Sequence, residues 1–162
     1  MPTRITATVD PARSRTEART EHGQPISLDA DPPEGDDSAA GPKEVLLAAL
    51  AGCTAMDVAS ILRKKRQVAT GYEIEVTGES AVEHPMVFTS ITVEHRVSGA
   101  VQAEALRRSI ELSATRYCPV NAMLSAVATV QHRYRLTDEN GTSVEALVAV
   151  TGPDGPRVER SD

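Results

Sequence analysis

The sequence predicts an α+β fold, and three observations carry that prediction. Residues alternate between apolar and polar in runs at 12–20, 72–79, 86–97, 130–136 and 143–150; one long helical pattern fills 42–66; and the shorter helical patterns lie together at 102–115 and 119–129. Strands and helices that come in groups favour α+β over a doubly wound sheet, in which they alternate. At 162 residues the chain is long enough to bury one core, so a single domain over 1–151 is expected, followed by a tail, 152–162.

At the N-terminus, 12–20 alternates strictly, with Arg13, Arg15, Glu17 and Arg19 on one face and Ala12, Ser14, Thr16, Ala18 and Thr20 on the other. Ile26 and Leu28 suggest a further strand. It runs into DADPPEGDDSAAG, whose acids and prolines suit neither helix nor sheet and read as a mobile loop.

The segment PKEVLLAALAGCTAMDVASILRKKR is the strongest helix signal. Pro42 suits the first turn, and Arg63, Lys64, Lys65 and Arg66 suit the last, where cations meet the negative end of the helix dipole. Ala and Leu surround most of its circumference between Val45 and Gly52, which predicts a central helix buried on nearly all sides there. Asp57 and the small residues dilute the apolar stretch at 45–61, which is expected to fall short of a membrane span.

Next, Tyr72, Ile74 and Val76 oppose Glu73 and Glu75, and Val87, Thr89, Ile91, Val93 and Val97 share a face, so 72–79 and 86–97 read as a hairpin-like strand pair. Leu106, Ile110 and Ser113 line one side of the helical pattern at 102–115, and Pro119 opens another that ends at 129. Val130, His132, Tyr134 and Leu136 then alternate with Gln131, Arg133 and Arg135, and Asn140 with Gly141 turns the chain into SVEALVAV, a closing hairpin. The tail has two prolines, mixed charge and no periodicity, and is expected to be disordered.

Composition narrows the function. Aromatic residues make up 2% of the chain and the net charge is −6, which argues against stacking on bases or binding a phosphate backbone; nucleic acid is not an expected partner. The first twenty residues hold no signal-like apolar run, so a soluble, cytoplasmic protein is expected, with no membrane partner. His22, His84, His95 and His132 show no metal-ligand spacing, and the two cysteines lie sixty-five residues apart with no CxxC. Without a glycine-rich phosphate motif either, neither metal nor nucleotide cofactor is expected.

The two cysteines differ in what surrounds them. Cys118 precedes Pro119 at a helix start, near Arg116, where unpaired backbone N–H groups and the dipole favour thiolate. Cys53 sits mid-helix among Ala, Gly and Leu, where packing as a small hydrophobe is the competing reading for it, as it is for Cys118. Asp57 lies one turn beyond Cys53 on the same helix face.

GPKEVLLAALAGCTAMDVASILRKKR and SIELSATRYCPVNAML resemble the two cysteine-bearing signatures of the OsmC/Ohr family, and EHPMVFTSITVEHRVSGAV is similar to the strand pair between them. The similarity covers 40–136 and sits closer to an OsmC-like branch than to the hydroperoxide reductases of the Ohr type. It implies an OsmC-like fold of antiparallel sheets packed around a long central helix in an intertwined homodimer. It implies further that Cys53 attacks an organic hydroperoxide, that Cys118 resolves the resulting sulfenic acid, and that an external dithiol reduces the disulfide.

The family's peroxidases also use an arginine from the N-terminal strands and a glutamate ahead of the central helix. The resemblance therefore makes Arg13, Arg15 and Arg19 candidates for the cation, with Arg19 chosen, and Glu44 the candidate acid. Lys43 occupies the glutamate position itself. Nine residues at about 100° each place Glu44 opposite Cys53 on a regular helix, so it reaches the site only through an irregular first turn or across a dimer. The substitution by Lys43 motivates an alternative function, a dimer of this fold that binds a small apolar ligand without peroxidase turnover.

Overall fold

The computed structural model describes residues 2–159. The backbone falls into two compact units, Met1–Leu46 and Leu47–Asp162.

The first unit is an antiparallel sheet in the order β1 (Ile5–Val9), β2 (Thr16–Thr20), β3 (Pro25–Leu28). The alternation read over 12–20 holds only from Thr16 onward. Arg13 lies in a turn closed by Asp10 N–H donating to the Arg15 carbonyl at 2.8 Å, and Ser14 takes a positive φ of 55°. The acidic segment expected to be a mobile loop is organised around one carboxylate. Buried Asp29 accepts the Ser38 hydroxyl at 2.6 Å and the N–H groups of Ser38 and Ala30 at 2.9 Å each. These donors, the Ser38 hydroxyl foremost, hold its pKa down at about 2.

Helix α1 (Pro42–Lys64) begins in the first unit and continues through the second. Leu50, Thr54, Val58 and Leu62 recur every four residues and are its buried residues. The expectation of all-round burial between Val45 and Gly52 is not met within one chain: Leu46, Ala48, Ala49 and Gly52 are exposed. Against the expectation that it falls short, the helix is long and apolar enough, by length and composition only, to cross a membrane, a test that the core helix of a soluble protein passes as well. Asp57 is too small a dilution of so many Ala, Leu and Val residues to prevent this.

The second unit holds a five-stranded sheet in the order β4 (Val68–Ser80), β5 (Phe88–Ala100), β6 (Thr129–Thr137), β7 (Ser143–Thr151), β8 (Arg157–Val158). Both expected hairpins form, β4 with β5 and β6 with β7. The sheet is mixed rather than wholly antiparallel, because β5 and β6 run parallel. The segment joining them carries α2 (Ala103–Leu112), a π-helical turn (Ser113–Tyr117) and α3 (Pro119–Leu124), a crossover long enough to return the chain in the same direction. The tail expected to be disordered contributes β8, whose Arg157 and Val158 pair with Val150 and Ala149; residues 160–162 lie outside the described residues.

Two apolar clusters form the core of this unit. One gathers Val58 and Leu62 with Leu106, Ile110, Val97, Leu136 and Val148; the other gathers Leu50, Ile91, Val93, Val130 and Leu124 with Cys118, and Cys53 packs against it. A fully buried Leu or Ile in such a cluster contributes about 1.5–3 kcal/mol. The second cluster fixes α1, α3 and the sheet around the two sulfurs.

Candidate active site at Cys53 and Cys118

Local sequence decides how Cys118 is presented. A residue before proline is pushed out of the helical region, and Cys118 is extended, with φ −75° and ψ 105°. Its own N–H donates to the Ser113 carbonyl five residues back, at 3.0 Å, closing the π-helical turn. Pro119 then occupies the first position of α3 and has no N–H to offer, so the first free donors of that helix belong to Val120 and Asn121. Both are used on sulfur. Asn121 N–H donates to Cys118 Sγ at 3.3 Å, and Val120 N–H donates to Cys53.

Both cysteines are free thiols, Cys118 buried and Cys53 half-buried. Cys53 Sγ, Cys118 Sγ and a carboxylate oxygen of Asp57 all lie within 4.8 Å of one another. The thiols share a hydrogen bond, and the Thr54 hydroxyl donates to Cys118 Sγ at 3.6 Å. Asp57 follows Cys53 by one turn, as its spacing predicted, and accepts the Ser113 hydroxyl at 3.0 Å. Burial pushes the Cys53 thiol up to about 11, the hydrogen bond with Cys118 adds to this, and the Val120 N–H opposes it.

Beneath Cys118 runs a buried polar chain. The Asn121 amide nitrogen donates to the Ala114 carbonyl at 2.8 Å and to Thr151 Oγ1 at 3.1 Å, while its oxygen faces His132 Nε2 at 2.9 Å. The His132 ring stacks on His95 with centroids 6.0 Å apart, and His95 Nδ1 meets the Tyr72 hydroxyl at 2.7 Å. Thr54, Ser113, Asn121, His132 and His95 were not among the sequence candidates. A signal for the histidines exists: each takes an inward position in a strand face that is otherwise Val, Ile, Leu or Tyr.

The remaining candidates lie in the first unit. Glu44 is exposed, and its Oε2 accepts the Gly41 N–H at 2.7 Å, capping its own helix. Arg13 pairs with Asp36 at 3.6 Å and Arg15 with Glu17 at 3.1 Å, whereas Arg19, exposed on β2, hydrogen-bonds the Gly23 carbonyl at 3.5 Å.

Fold and site together define a two-cysteine α+β protein whose thiols meet at a helix start. A family model described as OsmC-like protein matches residues 35–133, and the chain belongs to that family. It is similar to protein YhfA of Escherichia coli K12, 39% identical over 101 residues that cover 62% of this chain and 75% of that protein. Among solved structures, a hypothetical protein from Aquifex aeolicus VF5 superposes with a TM-score of 0.76 at 24% identity, covering 86% of this chain and 98% of that one. An organic hydroperoxide resistance protein from Elizabethkingia anophelis superposes with a TM-score of 0.65 at 13% identity, covering 86% and 97%.

Proposed function

We propose that this protein reduces organic hydroperoxides by thiol chemistry and so serves peroxide detoxification under oxidative stress. The observation that carries the reading is the pair of free thiols, with sulfurs within 4.8 Å, that share the first N–H donors of α3. The Cys53 thiolate attacks the O–O bond, the alcohol leaves with a proton, and Cys53 becomes a sulfenic acid. The Cys118 thiol displaces water from that sulfur to form the disulfide, and an external dithiol returns two electrons to restore both thiols. Cys53 is the better attacking group because it is the more exposed of the two. Membership of the OsmC-like family, and a fold shared with a protein named for organic hydroperoxide resistance, support the reading.

Burial of Cys53 works against ionisation, so the reading needs a cation, and Arg19 is assigned that role with Glu44 as its orienting acid. The active form is a homodimer in an intracellular, reducing compartment, where thiols such as these stay available. To test the function, reduced protein is mixed with cumene hydroperoxide while peroxide loss and the intramolecular disulfide are followed. Consumption of one peroxide per disulfide supports it. Peroxide left untouched with both thiols intact rejects it, and small apolar molecules co-purifying with such inert protein favour ligand binding instead.

A further inference from the structure

We propose that the reduced Cys53, Asp57 and Cys118 cluster is also a binding site for a thiophilic divalent cation of the Zn²⁺ type. Two sulfur ligands and one carboxylate oxygen already lie within 4.8 Å of one another. A tetrahedral zinc site, with bonds of about 2.3 Å to sulfur and about 2.0–2.2 Å to oxygen, brings its ligands to roughly 3.5–3.8 Å apart, so closing this cluster around an ion takes shifts of about 1 Å or less.

The scaffold suits such an ion. Cys53 and Asp57 are one turn apart on a single helix, and Cys118 is fixed by the start of another, so all three come from regular elements. Asp57 has an outer partner: the Ser113 hydroxyl on Oδ2 at 3.0 Å orients the carboxylate, as hydrogen bonds behind metal ligands do. Thr54 and the Asn121 N–H hold Cys118 Sγ in the same way.

Ligand chemistry narrows the ion. Two sulfurs favour Zn²⁺ and its softer relatives over Mg²⁺ or Ca²⁺, which take oxygen ligands. Bound as thiolates and carboxylate, the set carries three negative charges toward a dication. Three protein ligands leave a fourth position for water or a small thiol, the arrangement of exchangeable rather than closed structural sites. The half-buried Cys53 and Asp57 give the ion a route in, which the buried Cys118 alone does not. Sequence spacing concealed this set, since its members are brought together only by the fold.

This inference does not rest on peroxidase turnover, though it uses the same thiols. Reduced, metal-stripped full-length protein is titrated with Co²⁺, followed by absorbance, and with Zn²⁺ in competition. A sulfur-to-cobalt charge-transfer band with visible bands of tetrahedral intensity, saturating at one ion per chain and erased by Zn²⁺, is expected. Cys118→Ser abolishes the charge-transfer band at that stoichiometry, and Asp57→Asn, which keeps an acceptor for Ser113, weakens Co²⁺ at least tenfold; circular dichroism verifies that both variants fold. Oxidation by diamide, which takes two electrons as the disulfide forms, releases the ion.

An octahedral cobalt spectrum, or affinity unchanged in both variants, overturns the site. Affinity lost in Cys118→Ser but unchanged in Asp57→Asn overturns the three-ligand assignment. Protein that consumes hydroperoxide yet gives no tetrahedral cobalt spectrum overturns the metal site while leaving the peroxidase reading intact.

Discussion

His132 Nε2 lies 2.9 Å from Asn121 Oδ1, and that contact ties β6 to the helix start that presents Cys118. Because the Asn121 nitrogen faces the Ala114 carbonyl, its oxygen is the acceptor, and His132 must carry its proton on Nε2. His132 Nδ1 is then a buried acceptor that has no hydrogen-bond partner among the described residues, and so is the neighbouring His95 Nε2 without one. Replacing Asn121 by Ala strands the His132 donor, the Ala114 carbonyl and the Thr151 hydroxyl in the core at once. A loss of about 3 kcal/mol in urea unfolding is expected, with weaker ordering of Cys118. A loss below about 1 kcal/mol would show that the amide is not central to this junction.

The histidine pair gives folding a defined pH dependence. Burial lowers the His132 pKa from 6.5 to about 4 and the His95 pKa well below its ordinary value, the latter also through the charge of His132. Above pH 6.5 both states are neutral at these rings and their contribution is complete. As pH falls below 6.5 the unfolded chain takes up protons that the folded chain resists, so stability drops; the His132 share of the loss levels off near pH 4, where its folded ring protonates, and His95, held well below its ordinary value, adds to the fall. For His132 alone the drop amounts to about 3 kcal/mol. Urea midpoints between pH 7.5 and 4 measure it, and a His132→Gln variant must show a shallower fall.

The thiols have separable fates under the proposed chemistry. Cys53→Ser is expected to abolish peroxide consumption, a loss of at least about a hundredfold. Cys118→Ser should instead accept one oxidising equivalent and stop at a Cys53 sulfenic acid, which dimedone traps as a mass increase on the peptide carrying Cys53. Dimedone found on Cys118 in the Cys53→Ser protein, with turnover retained, would reverse the assignment.

Much of this arrangement was legible from residue order. Val130, His132, Tyr134 and Leu136 alternate in the sequence and are all buried in β6, and Cys118 before Pro119 announced a sulfur facing helix N–H groups. Less visible were the features that depend on distant pairing. The parallel register of β5 and β6 follows from the crossover, and the register shift at Glu79 and Ser80 turns Phe88 inward while leaving Val87 exposed, against the alternation read over 86–97. A two-residue strand such as β8 carries too few residues to show a period. The all-round apolar character of α1 was legible, but what covers it was not, since one chain buries a single stripe.

That uncovered surface leads to an expectation about assembly. Met56, on the uncovered side of α1, is 74% exposed, and Met123 and Val127 are 66% and 64% exposed. If a second copy of the chain covers this surface, Met56→Glu leaves the fold of the single chain nearly unchanged, because the residue contributes little to that chain's core, but shifts the mass measured by light scattering from dimer to monomer. A dimer mass preserved in Met56→Glu would place the contact elsewhere.

The role assigned to Arg19 is open to a pH-resolved test. Burial, followed by the hydrogen bond with Cys118, pushes the Cys53 thiol from 9.0 up to about 11, so the neutral form dominates at pH 7 unless a positive charge offsets it. With Arg19 acting as that charge, Arg19→Ala should lower the rate of Cys53 oxidation at pH 7 by about a hundredfold, an electrostatic loss of roughly 3 kcal/mol in the barrier. The loss should shrink as pH is raised toward 11, because the solution then supplies the thiolate that the arginine no longer favours. Arg13→Ala and Arg15→Ala should stay near the parent rate throughout, since Asp36 and Glu17 already engage those side chains. Stopped-flow oxidation from pH 6 to 10 separates the cases: a deficit in Arg19→Ala that is the same at every pH would mean that Arg19 positions the peroxide and does not ionise the thiol.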